Sequence, residues 1–353
     1  MNLVPIIKVV GNYCNLKCSY CFYNEKIQNL KTVMPPEILE KFIYEYLKDT
    51  KNIARFIWHG GEPLLAGKPF FNTVIQLQKK YNQNNCTIEN SIQTNGTLLD
   101  NYWIKFFSEN NFKVGVSIDG DKSSHDFNRK NAKGKGTHDL IVRNIKKMRK
   151  ANLTFGTILT VTKDTIEDFK NNFIFLVREL RINNFSINLY DTSYYEFKDK
   201  SSALSNEDVW LLYKECIDLW LEENNANLKI REIENLAEAV KKIKPSCCYF
   251  NGNCSKFYCL NYDGTIFPCN RLSNQNNIRG DISKQELNKI LSVETINNFR
   301  KSVNLLPEEC MKCEWQQGCN NGCTSMRDPT TNKYIYCEAR KLSINYLKKI
   351  IEN

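Results

Sequence analysis

The chain predicts an α/β fold, a partial (β/α)6 parallel barrel followed by a small, cysteine-rich, metal-stapled α+β domain. Three observations carry this expectation. Up to about residue 190, short β-branched or aromatic runs alternate with longer helical patterns, as in a parallel α/β sheet. The alternation then stops. Ten of the fifteen cysteines lie beyond residue 246, a density expected where metal ligation makes up for a small apolar core.

Taken in order, strands are expected near Ile6 to Val10, Ile53 to Trp58, Thr87 to Gln93, Phe112 to Ile118, Thr154 to Val161 and Phe185 to Leu189. Helical patterns separate them near Pro36 to Leu47, Pro69 to Tyr81, Asn101 to Glu109, Leu140 to Lys150 and Ile166 to Leu180. Right-handed crossovers between parallel neighbours curl such units into an open or partial barrel. Functional groups then belong on the loops after the strands' carboxyl ends. The motifs fall there: a three-cysteine loop after the first strand, His59-Gly60-Gly61-Glu62-Pro63 after the second, Gln93-Thr94-Asn95-Gly96 at the end of the third and Ser117-Ile118-Asp119-Gly120 at the end of the fourth.

The expected division is 1–200 for the barrel, 201–246 for a helical connector and 247–353 for the cysteine-rich domain. The connector opens on a polar stretch, Tyr194 to Ser205, and carries helical patterns at Val209 to Leu221 and Glu232 to Ile243. In the last domain Asp263-Gly264 reads as a tight hairpin turn, since this pair readily adopts positive φ. The hairpin delivers Cys269. A final amphipathic helix is expected from Glu338 to Ile351.

No stretch of about eighteen apolar residues and no signal-peptide pattern appears, so no membrane partner is expected and the compartment expected is the cytoplasm. A reducing compartment makes disulfides a poor account of fifteen cysteines, and metal ligation a better one. The 49 basic and 39 acidic residues leave a net charge of +10 in runs such as Lys146-Lys147-Met148-Arg149-Lys150, which fit solvated helix faces. No nucleic-acid partner is expected from them, although mild attraction to an acidic peptide is compatible.

Cys14, Cys18 and Cys21 carry the chemistry. A structural zinc site or an ordinary electron-transfer cluster has four protein ligands, so three thiols on one tight loop point to a metal centre with a position open for substrate or cofactor.

Cys14-x3-Cys18-x2-Cys21 followed by an aromatic, with Gly60-Gly61-Glu62-Pro63 after the second strand, resembles the radical S-adenosylmethionine (SAM) enzymes. The tail, Gly264-x4-Cys269 followed by Cys310-x2-Cys313-x5-Cys319-x3-Cys323 and then Cys337, resembles their SPASM extension. Across residues 1 to about 345 the chain is most similar to the anaerobic sulfatase-maturing enzymes, through Cys18-Ser-Tyr-Cys21-Phe-Tyr23, Gln93-Thr94-Asn95-Gly96-Thr97 and Asp126-Phe-Asn-Arg129-Lys130.

The resemblance implies a 4Fe-4S cluster on Cys14, Cys18 and Cys21 with one iron open to S-adenosylmethionine. It implies that Gly60, Gly61 and Glu62 contact the methionine amino group, Ser117 and Arg129 face its carboxylate, Asp119 approaches the ribose and Tyr23 packs near the adenine. It further implies two 4Fe-4S clusters in the tail, an iron-sulfur-stapled domain, one on Cys248, Cys254, Cys269 and Cys323 and an outer one on Cys310, Cys313, Cys319 and Cys337. Cys86, Cys216, Cys247 and Cys259 are left as small buried or half-buried hydrophobes, although Cys247 and Cys259 replace Cys248 and Cys254 as ligands if that register is wrong. The implied activity is that of an oxidoreductase acting on a peptide or protein, with a flavodoxin- or ferredoxin-type electron donor.

Two positions depart from that pattern. Asn270 stands where the sulfatase-maturing enzymes carry an aspartate base, and an amide cannot take a proton at neutral pH. His59 stands where they carry a glutamine, and reads as either structural or substrate-facing. The expectation is therefore a maturase that modifies a ribosomally made peptide by hydrogen abstraction, with net oxidation or cross-linking. The alternative is a sulfatase maturase that converts Cys or Ser to formylglycine with another base. His125 and His138 are expected in a polar loop, His125 as a hydrogen-bonding residue.

Overall fold

The computed structural model describes residues 3–21, 23, 31–190 and 203–352. The polar stretch expected from Tyr194 lies outside them up to residue 202, as does the expected boundary between residues 200 and 201. In chain order the strands are β1 (Val4–Lys8), β2 (Leu16–Cys18), β3 (Ile53–His59), β4 (Thr87–Thr94), β5 (Lys113–Ser117), β6 (Arg129–Asn131), β7 (Phe155–Val161), β8 (Asn184–Leu189), β9 (Lys229–Ile230), β10 (Phe257–Asn261), β11 (Thr265–Phe267) and β12 (Gly280–Asp281). The helices are α1 (Pro36–Lys48), α2 (Lys68–Tyr81), α3 (Asn101–Glu109), α4 (Lys122–Asn128), α5 (His138–Lys150), α6 (Phe169–Ile174), α7 (Asn206–Glu223), α8 (Arg231–Val240), α9 (Cys248–Asn251), α10 (Leu287–Ile290), α11 (Val293–Val303), α12 (Glu308–Met311), α13 (Gln316–Cys319) and α14 (Cys337–Glu352). Among the described residues no helix is long and apolar enough to cross a membrane.

Local chemistry explains the boundaries. Proline at the first position starts α1, where its missing N–H is no loss, and Ile38, Leu39, Phe42, Ile43, Tyr46 and Leu47 form one buried stripe. Asp100 caps α3 by accepting from the Trp103 N–H at 2.9 Å. Ser205 and Asp208 close a reciprocal capping box on α7. The helix expected from Ile166 to Leu180 is interrupted: α6 gives way to a π-turn over Phe175–Glu179, with the Leu180 N–H donating to the Phe175 carbonyl.

By its contacts the chain divides into two units, each drawn from separate segments: Met1–Ser117, Arg129–Phe155 and Ser255–Lys301 form one, and Ile118–Asn128, Gly156–Cys254 and Ser302–Asn353 the other. In the first, β10, β1, β3, β4 and β5 lie side by side and parallel, and β11 and β12 continue beyond β10 antiparallel. The expected hairpin at Asp263-Gly264 is present, with Gly264 at φ +93°. Its first strand pairs along all of β1, Val4 opposite Phe257 through Lys8 opposite Asn261. Phe42, Phe56, Trp58, Phe71 and Phe107 are buried together where α1, α2 and α3 meet the sheet. In the second unit β7, β8 and β9 run parallel, and α14 packs on α7 and α8. This is the α/β class that the alternation predicts, on a mostly parallel sheet.

Candidate active site

In the first unit the loops after β1, β3 and β4 lock together. The Gly61 and Glu62 N–H groups donate to the Gly11 and Tyr13 carbonyls at 2.8 and 2.9 Å. A Cβ on Gly61 would lie 1.9 Å from the Tyr13 carbonyl oxygen, so only glycine allows this approach. The close contact that Gly61 permits in the structure is thus to the cysteine loop itself.

Glu62 is fully buried. Its Oε1 accepts from the Leu64 N–H (3.0 Å) and the Thr94 hydroxyl (2.8 Å), and its Oε2 from the Asn95 N–H (2.7 Å). A carboxylate offers about four acceptor positions, so roughly one remains for a ligand. Burial raises the Glu62 carboxyl to about 7 against the opposing pull of these three bonds.

The cysteine loop is held from the same side. The Asn95 amide donates to Cys14 Sγ at 3.7 Å and to Asn15 Oδ1 at 2.9 Å, and Asn15 donates to the Thr97 hydroxyl at 2.8 Å. Burial pushes the Cys14 thiol up to about 12, with the Glu62 carboxylate adding to the effect. Cys18 lies buried on β2, whose register against β6 sets Cys18 opposite Arg129. Burial likewise raises the Cys21 thiol, opposed by the cationic Arg129 and Lys8. Such a pocket keeps Cys14 and Cys21 protonated until a metal takes up their charge. Arg129 is itself buried, its guanidinium 5.3 Å from the Tyr20 ring centre. Gln93 donates to the Ser117 hydroxyl at 3.0 Å, and a Cβ on Gly115 would fall 2.1 Å from Gln93 Oε1.

At the strand ends, parallel register places His59, Lys8 and Asn261 in one row across β3, β1 and β10. The His59 Nδ1 accepts from the Gly60 N–H at 2.8 Å, which puts the ring's proton on Nε2. Burial, then the Lys8 charge, hold this imidazole down at about 4. Lys8 Nζ donates to Asn12 Oδ1 at 2.9 Å and stands 4.4 Å from the centre of the Tyr23 ring. The Tyr23 hydroxyl donates to Asn270 Oδ1 at 2.7 Å. Asn270 opens a 3-10 turn directly after Cys269.

In the second unit Asp119 is buried and its Oδ1 accepts from the Thr160 N–H at 3.0 Å. The His125 Nδ1 accepts from the Asp119 N–H at 3.3 Å. His125 therefore lies on α4, fully buried, and not in the polar loop expected, while His138 is the buried first residue of α5. The short α4, written Lys-Ser-Ser-His-Asp-Phe-Asn, carries too little apolar periodicity to be read from sequence.

Four thiols of the same unit, Cys310, Cys313, Cys319 and Cys337, line one cavity with Trp315, Tyr334, Arg340 and Ile344. Cys248 begins α9, and the Cys323 N–H donates to the Tyr249 carbonyl at 3.1 Å, tying its segment to the Cys248 turn. Cys254 Sγ lies 3.0 Å from the Thr324 hydroxyl. Buried Arg340 donates to Cys319 Sγ at 3.3 Å and to the Phe250 carbonyl at 2.9 Å. Buried Arg327 donates to the Val303, Asn321 and Gly322 carbonyls. Cys86, Cys216 and Cys259 are buried and Cys247 is half-buried.

Sequence reasoning missed Asn95, Gln93 and Arg340. The first two stand in the Gln93-Thr94-Asn95-Gly96 strand end already visible as a motif. Arg340 had no signal, being one basic residue of a helix.

A three-thiol loop after the first strand of a parallel sheet, clamped by a Gly-Gly-Glu-Pro loop and followed by a four-thiol cavity, defines a radical SAM protein with an added cluster domain. The profile of the Radical SAM superfamily matches residues 9–176, and that of the SPASM iron-sulfur cluster-binding domain residues 247–314. The chain is 33% identical over 97% of its length to the cysteine-type anaerobic sulfatase-maturating enzyme of Clostridium perfringens strain 13, 95% of which is covered. It is 31% identical over 98% of its length to the serine-type enzyme of Bacteroides thetaiotaomicron, 87% of which is covered. The solved structure of native anSMEcpe with bound AdoMet matches with a TM-score of 0.92 at 32% identity, covering 99% of this chain and 98% of that one. Streptococcus suis SuiB bound to the precursor peptide SuiA matches at 0.69 and 15% identity, covering 97% of this chain and 76% of that one, which shows a shared fold. The chain belongs to the anaerobic sulfatase-maturating enzymes of the radical SAM superfamily.

Proposed function

We propose that the protein oxidises a cysteine or serine residue of a protein substrate to formylglycine, the second of the two activities expected from sequence. The near full-length likeness to the cysteine-type enzyme carries this reading, at 33% identity over 97% of the chain. The cross-linking maturase has less support, because the relatives named above that match over nearly the whole chain at 31% and 33% identity are sulfatase-maturating enzymes. A peptide substrate is further supported by native anSMEcpe with bound AdoMet and a Cp18Cys peptide, which matches with a TM-score of 0.91.

In this reading Cys14, Cys18 and Cys21 hold a cluster with S-adenosylmethionine beside it, and the tail cysteines hold two more, the outer one in the cavity of Cys310, Cys313, Cys319 and Cys337. Among the described residues no three His, Cys, Asp or Glu side chains converge on one ion-sized point, and four thiols around a cavity suit a larger iron-sulfur group. S-adenosylmethionine, when bound and reduced, supplies hydrogen-atom abstraction from an unactivated carbon. Glu62 offers its remaining acceptor position to the methionine amino group, and Arg129 and Ser117 serve the carboxylate. Asn270 is fixed by Tyr23 and acts as a hydrogen-bonding group, so the substrate's thiol or hydroxyl proton leaves to another acceptor.

The test is anaerobic incubation of cluster-loaded enzyme with S-adenosylmethionine, dithionite and a Cys-x-Pro-x-Arg peptide. Formylglycine, read as an aldehyde that reacts with hydrazine, is expected. A peptide that gains an internal cross-link and no aldehyde overturns the reading.

A further inference from the structure

The positive charge of the chain is concentrated. Between residues 130 and 150 stand eight basic side chains and one acidic, Asp139, so this stretch holds seven of the ten net positive charges. Lys133 and Lys135 lie exposed on the turn between β6 and α5, which is closed by the Asn131 N–H donating to the Lys135 carbonyl at 2.9 Å. On α5 the stripe of Ile141, Ile145 and Met148 is buried, whereas Arg143, Lys146, Lys147 and Lys150 are exposed. An ordinary solvated helix face interleaves both signs. Here Asp139 is the single carboxylate within a helical turn of any of these four.

Two connections tie this basic face to the three-cysteine loop. β6 pairs with β2, so that Arg129 stands opposite Cys18 and Lys130 opposite Lys17. From α5, the Asn144 amide donates to the Gly96 carbonyl at 2.9 Å, and the neighbouring Asn95 amide reaches Cys14 Sγ at 3.7 Å. Reductive cleavage of S-adenosylmethionine consumes one electron from outside the protein. Electron transfer weakens steeply with distance, so a carrier works best docked over the accepting centre.

We propose that the face formed by the 130–136 turn and α5 docks an acidic one-electron carrier protein, one with carboxylates around a low-potential flavin or iron-sulfur centre. This rests on the radical SAM reading above. The carrier is oxidised by one electron, and that electron ends in the carbon-sulfur bond that breaks, giving methionine and a 5'-deoxyadenosyl fragment that takes a hydrogen atom from the substrate. Charge complementarity of this kind speeds encounter and sets orientation. A single-stranded RNA fits less well, because residues 130 to 150 contain no Phe, Tyr or Trp on which bases could stack.

The test compares cluster-loaded wild type with the combined variant Lys133→Glu, Lys135→Glu, Lys146→Glu and Lys147→Glu, using a reduced acidic flavodoxin as the probe. Flavodoxin affinity, measured by calorimetry in low salt, should fall by about tenfold or more in the variant, and wild-type affinity should weaken as added salt shortens the screening length. Production of 5'-deoxyadenosine should fall in parallel when flavodoxin is the donor, and stay within about twofold of wild type when dithionite is. Unchanged flavodoxin affinity, or equal losses with both reductants, overturns the proposal, as does an RNA oligonucleotide that displaces flavodoxin from the wild type. Absence of 5'-deoxyadenosine from the wild type with dithionite removes the radical SAM reading itself, and this inference with it.

Discussion

The Tyr23 hydroxyl donates to Asn270 Oδ1 at 2.7 Å, which joins the residue two positions after Cys21 to the residue directly after Cys269. The bond fixes which way the Asn270 amide points, since its oxygen must face the phenol. A carboxylate in the same place would accept the same bond and add a proton acceptor. Asn270→Asp should therefore raise the rate of aldehyde formation, by up to the ~10²-fold that a positioned general base supplies. The measurement is single-turnover aldehyde yield on a Cys-x-Pro-x-Arg peptide. A variant no faster than wild type shows that position 270 does not limit proton removal.

The Gly61 contact makes a second prediction. With 1.9 Å between an added Cβ and the Tyr13 carbonyl oxygen, the loop carrying Glu62 must separate from the cysteine loop. Gly61→Ala should cost about 1–3 kcal/mol of stability, as overpacking does. It should also lower retention of the cluster on Cys14, Cys18 and Cys21, read as iron per chain. Gly134→Ala is the control, because nothing lies within 4 Å of a Cβ there, although its φ of +75° adds some strain.

These contacts show where the sequence was readable. Strands and loops of the first unit were visible because strands such as β1 and β3 are short runs rich in β-branched and aromatic residues, and the loops after them carry glycine or charge. The pairing of β10 with β1 was not visible, since about 250 residues separate partners such as Ile6 and Cys259 and no local pattern encodes such a contact. The π-turn at Phe175–Glu179 escaped because its periodicity differs from a helix by one residue in a turn. Cysteine spacing named the candidate ligands, but not Asn95 or Arg340, whose roles depend on which atom faces sulfur.

Ligand assignment in the tail is tested by iron content. With the three 4Fe-4S clusters proposed above, Cys248→Ala and Cys319→Ala should each lower iron by about four atoms per chain from about twelve. Cys247→Ala should leave it unchanged. Loss with Cys247→Ala and none with Cys248→Ala would shift the register by one.

His59 makes a pH prediction. Its imidazole is held down at about 4 by burial and by Lys8, against about 6.5 in an unfolded chain. The folded state therefore binds fewer protons at this site than the unfolded state between those values. Stability should fall as pH drops from about 6.5 toward about 4, and be constant above that window. Denaturant unfolding of wild type and His59→Gln across this range isolates the effect, because other groups cancel in the difference. The wild-type deficit relative to the variant should grow toward low pH. A difference independent of pH means that His59 titrates normally.

Arg340 makes the last prediction. Its guanidinium is buried, stacked 3.9 Å from the Tyr334 ring centre and 4.5 Å from that of Phe250, and donates to Cys319 Sγ at 3.3 Å. Burial alone would lower its pKa, but the tyrosine and thiol partners raise it above the usual arginine value, so the charge stays. A cationic donor on a cluster sulfur stabilises the more negative, reduced form and raises the reduction potential. Arg340→Met keeps the volume and the apolar contacts but removes both the charge and the bond. The potential of the cluster proposed for the Cys319 cavity should shift to a more negative value in redox titrations followed by electron paramagnetic resonance. Arg340→Lys, which keeps the charge and loses the planar fork, should give a smaller shift. If both variants titrate at the wild-type potential with full iron content, Arg340 serves packing alone.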